Sequence, residues 1–188
     1  MSNSSREALI FILQAFVHIY VFILLLRLYL PWLYVSSNNP ATQGVLRVTS
    51  PLVVPLRRLL PPIGRVDTST LLIAYGIETL LTLAIIFIAG YPFIPLNLFV
   101  TAAVRLVILG IWVLVVGIIV RVILSWTGQG GYNPLTEIAY AVSEPVVRPF
   151  RKVIPPVGTF DLSVMVASIL LIALTILLGG LKMYPHPL

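Results

Sequence analysis

Six carboxylates, two histidines and no cysteine make up most of the chain's capacity for acid–base, metal or nucleophilic chemistry. Without cysteine there are no disulfides, thiolate metal sites, iron–sulfur ligands, covalent haem attachments or thiol nucleophiles. His18 lies in a long apolar run and His186 in the Pro-rich segment Tyr184-Pro185-His186-Pro187; no Asp, Glu or His stands near either at metal-ligand spacing. The sequence therefore predicts no metal, no cofactor and no catalytic group. Asp67 and Asp161 each precede an apolar run. Two carboxylates do acid–base work only by converging on a substrate, whereas an Asp in this position caps a helix by accepting free N–H bonds at its positive end. Capping is the favoured reading, and it extends to Asn39 and Asn133, each followed by a Pro that opens a helix without giving up a useful donor. Gly128-Gln129-Gly130-Gly131 lacks the Gly-Lys-Ser/Thr ending of a phosphate loop and reads as a flexible loop.

Four polar side chains interrupt apolar runs: Gln14, His18, Glu78 and Arg105. An ionisable group deep in such a run is costly and marks either function or a structural pair. Glu78 and Arg105 flank a short loop at 91–97 and differ in depth by about five residues, roughly 8 Å, which an Arg side chain can bridge. Gln14 and His18, one turn apart, bond to a neighbouring helix or line a polar path. Ala103, Gly110 and Gly117 recur every seven residues, as do Asp161, Ser168 and Thr175, and both stripes predict close helix packing.

The elements that must position these groups are membrane helices. With 59% hydrophobic residues, 10% charged and a mean hydropathy of +1.06, the chain is too apolar for an ordinary soluble domain. Runs at about 8–30, 70–90, 98–124 and 162–181 are each long enough to span a bilayer, so the fold class is all-α membrane with four transmembrane helices. The first run lacks a small-x-small cleavage site and reads as a retained span. Residues 27–70 align with 121–164 at a constant offset of 94, without a gap. This divides the chain into repeat 1 (1–94, with loop 31–69) and repeat 2 (95–188, with loop 125–161). An even number of spans per copy predicts parallel repeats about an axis along the membrane normal.

Net charge is +6, and most Lys and Arg fall in or beside the two long loops. The positive-inside rule then places both loops in the cytoplasm and the termini outside. Arg57, Arg58, Arg151 and Lys152 are predicted to face anionic headgroups or a protein partner, with Trp32 and Trp126 in the interfacial aromatic belt. Nothing resembles a nucleic-acid-binding motif, and juxtamembrane cations interact with lipid at roughly 1 kcal/mol each, so no nucleic-acid partner is predicted. Within loop 2, Leu135, Ile138 and Val142 recur at helical spacing, with Thr136, Glu137, Tyr140 and Ser143 on the other side, predicting an interfacial helix. Its counterpart, with Val45, Val48 and an interrupting Gly44, is weaker. Pro51 with Pro55, and Pro145 with Pro149, are predicted to prevent a regular helix and leave a bent, membrane-hugging segment. Pro61-Pro62-Ile63-Gly64 and Pro155-Pro156-Val157-Gly158 read as turns.

The shared letters form a series: Trp32/Trp126, Asn39-Pro40/Asn133-Pro134, Pro51/Pro145, Pro55/Pro149, Arg57/Arg151, Pro61-Pro62/Pro155-Pro156, Gly64/Gly158, Asp67/Asp161 and Ser69/Ser163. This series resembles the YggT/YlmG family over almost the whole chain. The resemblance implies a bacterial inner-membrane location and a helper role, through the family's links to cell division, nucleoid distribution, osmotic tolerance and, in plastids, haem attachment to a b-type cytochrome. It supplies no residue with a catalytic task, and haem handling finds no support in a chain without cysteine or a repeated histidine. The expected function is a non-enzymatic scaffold or assembly factor, with protein partners or a second copy on its cytoplasmic loops. The alternative is a small transport or ion-permeation component in osmotic or cation homeostasis, using the buried polar set.

Overall fold

A computed structural model describes residues 3–33, 35–36, 38–126, 133–154 and 161–184. The described residues form six α-helices: α1 (Asn3–Tyr29), α2 (Pro40–Arg57), α3 (Thr68–Ala89), α4 (Pro95–Trp126), α5 (Pro134–Arg151) and α6 (Leu162–Gly179). A single 3-10 turn, Leu30–Trp32, follows α1. Helices α1, α3, α4 and α6 are long and apolar enough to cross a bilayer, and the chain is a membrane protein. Helix α4 is apolar around its whole circumference and packs against α1, α3, α5 and α6. More than half of its span is buried, against a third or less of each of the others, so α4 is the centre of the bundle. The outer faces of α1, α3 and α6 carry exposed Phe16, Phe87 and Ile176, as surfaces in contact with lipid tails do.

Helices α2 and α5 lie at the same end of the bundle as the α1 and α4 C-termini. Helix α2 packs on α1 and α3, α5 packs on α4 and α6, and the two touch each other. Their prolines contradict the expected break: Pro51 and Pro55 lie inside α2, and Pro145 and Pro149 inside α5. The four-residue spacing explains it, because it puts both missing N–H groups on one stripe of each helix, and all four prolines are exposed. The opposite stripe, Thr49 and Val53 in α2 and Ser143 and Val147 in α5, is buried and holds the helix against the spans. The loss of donors is thus confined to the face where a helix can bend.

The helical spacing predicts Ser143 on the polar side of α5 and Leu135 on the apolar side, yet Ser143 is buried and Leu135 exposed. The face is displaced because α5 packs on α4 through Ile138, Ala139 and Val142 rather than lying flat. Gly117 makes this approach possible: a Cβ there would come within 2.8 Å of Val142 Cγ1. Gly117→Val is expected to cost about 1–3 kcal/mol by forcing α5 off α4. Adding Val142→Ala should restore part of that loss in a reversible unfolding titration. Gly110 likewise faces Tyr29, whose hydroxyl donates to the Gly110 carbonyl at 3.2 Å, but Ala103, the third member of that stripe, is exposed.

Between α2 and α3 the chain reverses through Ile63-Gly64-Arg65-Val66, with paired backbone hydrogen bonds of 3.1 Å between Ile63 and Val66 and Gly64 at φ +60°. The corresponding turn at 155–158, the Gly128–Gly131 loop and His186 lie outside the described residues.

Candidate functional site

Two polar assemblies organise the bundle. The first occurs twice, at one end. Arg27, near the α1 C-terminus, donates to Thr49 Oγ1 at 2.8 Å and to Ser50 Oγ at 3.3 Å, and lies 3.7 Å from Asp67. Arg121, 94 positions on, donates to Ser143 Oγ at 3.2 Å and to Glu144 at 3.0 Å, with its guanidinium 4.2 Å from the Tyr140 ring centroid. Arg57 donates to Asp67, and Arg151 to Asp161 at 2.8 Å. Ser69 and Ser163 hydroxyls donate to the carbonyls of Leu60 and Ile154. Each copy therefore ties the surface helix to both spans of its repeat through the same register of residues.

Asp67 and Asp161 do cap α3 and α6, accepting from the Thr70 amide at 3.3 Å and the Ser163 amide at 3.1 Å. Each also receives an arginine, a role the cap reading missed. The available signal was an Arg and an Asp ten positions apart in both copies. Arg57 and Arg151 are accordingly turned onto carboxylates, while their neighbours Arg58 and Lys152 are exposed. Trp32 and Trp126 are exposed beside this assembly, with the Arg65 guanidinium 5.9 Å from the Trp32 ring centroid.

Burial raises the Asp67 carboxyl's pKa, but hydrogen bonds from Thr70 and Arg57 outweigh it and hold the group below its ordinary 3.8. Asp161 is held low in the same way, burial being outweighed by Arg151 and Ser163. A depressed folded-state pKa gives stability that is fully present above the unfolded value and is lost as pH falls through the folded one. Amide exchange in α2 and α5 is therefore expected to stay slow near neutral pH and to accelerate, beyond its intrinsic pH dependence, only below about pH 4.

The caps Asn39 and Asn133 accept from the amides of Ala41 at 2.8 Å and Leu135 at 2.9 Å. Asn39 does more: its Nδ2 donates to Glu137 at 2.7 Å and to the Pro134 carbonyl at 3.0 Å, while the Ser36 amide donates to Glu137 at 2.9 Å. Glu137 thus joins the two repeats, and in repeat 1 the corresponding residue is Gln43.

The second assembly occurs once, within the bilayer. Glu78 Oε2 lies 3.5 Å from Arg105 Nε, and Glu78 Oε1 lies 3.4 Å from His18 Nε2. Arg105 Nη2 is 3.5 Å from the same His18 nitrogen. Glu78 is 0% exposed and Arg105 1%. One helical turn further from α2 and α5, the same three helices contribute buried Gln14, Thr82 and Thr101. The intramembrane set therefore converges, in two layers, between α1, α3 and α4. At the offset of 94 the counterparts of Gln14, His18, Glu78 and Thr82 are Ile108, Trp112, Ile172 and Ile176, so repeat 2 holds no such cluster.

Among the described residues, no three His, Asp or Glu side chains group as a metal site requires. A groove of about 600 Å³ between α4, α5 and α6 is bordered by Arg121, Trp126, Tyr140 and Asp161, and one of about 670 Å³ between α3 and α4 is almost wholly apolar. Neither is lined by Glu78.

A family model described as CCB3/YggT matches the chain twice, over residues 6–88 and 100–182. The uncharacterized YggT protein of Escherichia coli (strain K12) is 32% identical over 168 residues, covering 88% of this chain and 86% of its own. An uncharacterized protein of Pseudomonas aeruginosa is 35% identical over 161 residues, covering 84% and 81%. An uncharacterized protein of Vibrio alginolyticus is 32% identical over 180 residues, covering 91% and 93%. No solved structure matches the chain.

Proposed function

The chain belongs to the CCB3/YggT family, and from that premise we propose that it is a non-enzymatic inner-membrane scaffold whose paired surface helices form a cytoplasmic platform for assembling partner proteins. The observation that carries this reading is the repeated clasp. The residues shared by the two copies are spent on fixing α2 and α5 against the spans, not on assembling a reaction centre. Fixed in this way, the two helices turn an outer stripe of Pro, apolar and cationic residues away from the bundle, including exposed Arg47, Val48, Leu52 and Arg148. Such a stripe suits anionic headgroups and the flank of a membrane protein or second copy. The positive-inside rule puts this face in the cytoplasm and the termini in the periplasm.

The test is photocrosslinking in cells from Arg58 and Lys152, the exposed cations beside the clasps. The same discrete protein partner should be captured from both positions, and charge reversal of both residues should reduce that capture. Lipid adducts alone, with no protein product from either site, would overturn the scaffold.

A further inference from the structure

We infer that His18, Glu78 and Arg105 form a proton-binding site in the middle of the bilayer. Glu78 lies about three helical turns from each end of α3, roughly 16 Å from either interface. Both its carboxylate oxygens are buried without a hydrogen-bond donor, and Arg105 Nε is buried without an acceptor: the contacts at 3.4 and 3.5 Å are close enough for charge attraction but do not make hydrogen bonds. A structural ion pair this deep offsets its desolvation only with well-made hydrogen bonds. Two of the under-satisfied atoms are carboxylate acceptors, and a proton is a ligand that such acceptors take.

Gln14, Thr82 and Thr101 extend the cluster by one turn away from α2 and α5, and Thr82 Oγ1 is also buried without a partner. Beyond them, the Met183 amide donates to Thr101 Oγ1 at 3.1 Å, which brings Lys182 to that end of the bundle. Burial, then Arg105's charge, holds the Lys182 ammonium below its ordinary pKa. Apolar residues close both sides of the cluster: Ile10, Ile85, Ile86 and Leu98 beyond that polar layer, and Val21, Leu24, Ala74, Leu106 and Leu109 toward α2 and α5.

The charged groups facing Glu78 are His18 from α1 and Arg105 from α4, with Lys182 beside Arg105; α2 brings its Arg57 to Asp67, about three turns away. A metal cation would need several oxygen ligands, whereas Glu78 is the one carboxylate in the cluster and its other charged neighbours are cations or an imidazole. A proton leaving water adds to Glu78 Oε1 as a new O–H bond, and the cluster's charge rises by one. Arg105 then loses its counter-charge but retains His18 Nε2, in its unprotonated form, as an acceptor for Nη2. Release reverses the step and returns the proton to water.

The test is infrared difference spectroscopy of the full-length protein across a pH titration. A protonated-carboxyl band should appear as pH falls, be absent from Glu78→Gln, and shift its midpoint in His18→Gln. The wild-type protein should take up one proton more than Glu78→Gln over the same range. No titrating band, or a band unchanged in Glu78→Gln, would overturn the site; a band that responds to sodium or potassium at fixed pH would replace the proton with a metal cation. These outcomes do not depend on whether the platform captures a partner.

Discussion

Arg105→Met is expected to destabilise the protein by about 3–5 kcal/mol, the range seen when one member of a buried ion pair is removed and the other stays charged. Arg105 is among the largest fully buried side chains of the described residues and lies on the central helix, so its removal leaves Glu78 without its counter-charge at a fully buried position. The loss should be electrostatic rather than steric, because Met keeps much of the volume. Changing Glu78 to Leu in the same chain should therefore recover most of it, since a buried pair replaced by apolar residues of similar size is commonly neutral or stabilising. Reversible unfolding in mixed micelles, followed by circular dichroism, measures both. A double variant no more stable than Arg105→Met would mean that packing, not charge, sets the cost.

The second large effect is unequal between two residues that the sequence presents as equals. Asp67 and Asp161 occupy the same repeat position, cap the same kind of helix and pair with equivalent arginines, Arg57 and Arg151, but Asp67's side chain is 3% exposed and Asp161's 33%. Asp67→Ala removes a cap worth about 1 kcal/mol and leaves Arg27 and Arg57 without their carboxylate. A total near 3 kcal/mol is expected for that buried site. Asp161→Ala removes a comparable cap, but its ion pair is screened by solvent and Glu144 remains as a partner for Arg151, so about 1 kcal/mol is expected. The same unfolding measurement compares them, and equal losses would show that burial does not govern the clasp.

Much of the fold was legible because bilayer physics allows few solutions. A run of about 20 apolar residues must be a helix, and four such runs in one chain pack as a bundle. The caps were legible because Asn-Pro and Asp ahead of an apolar run satisfy free backbone donors locally. The proline pairs misled, because their effect depends on which face of the helix looses its donors, and that is decided by what the other face packs against. Ser143 misled for the same reason: a hydroxyl read as solvent-facing is the acceptor for a buried arginine. The arginines at 57 and 151 read as headgroup ligands in the sequence, and the structure sets the Asp ten positions on against each of them.

By itself the sequence determined the four spans, the doubling at 94 residues, the helix starts and the membership of the polar set, since each follows from local composition and spacing. Only the tertiary structure decided which charges meet. Arg27, Thr49 and Asp67 belong to three helices, as do His18, Glu78 and Arg105, and no periodicity within one helix reports the rotation of another. That rotation is set by close approaches such as Gly117 on Val142 and Gly110 on Tyr29. They turn repeated residues into two clasps and unrepeated ones into a single buried cluster.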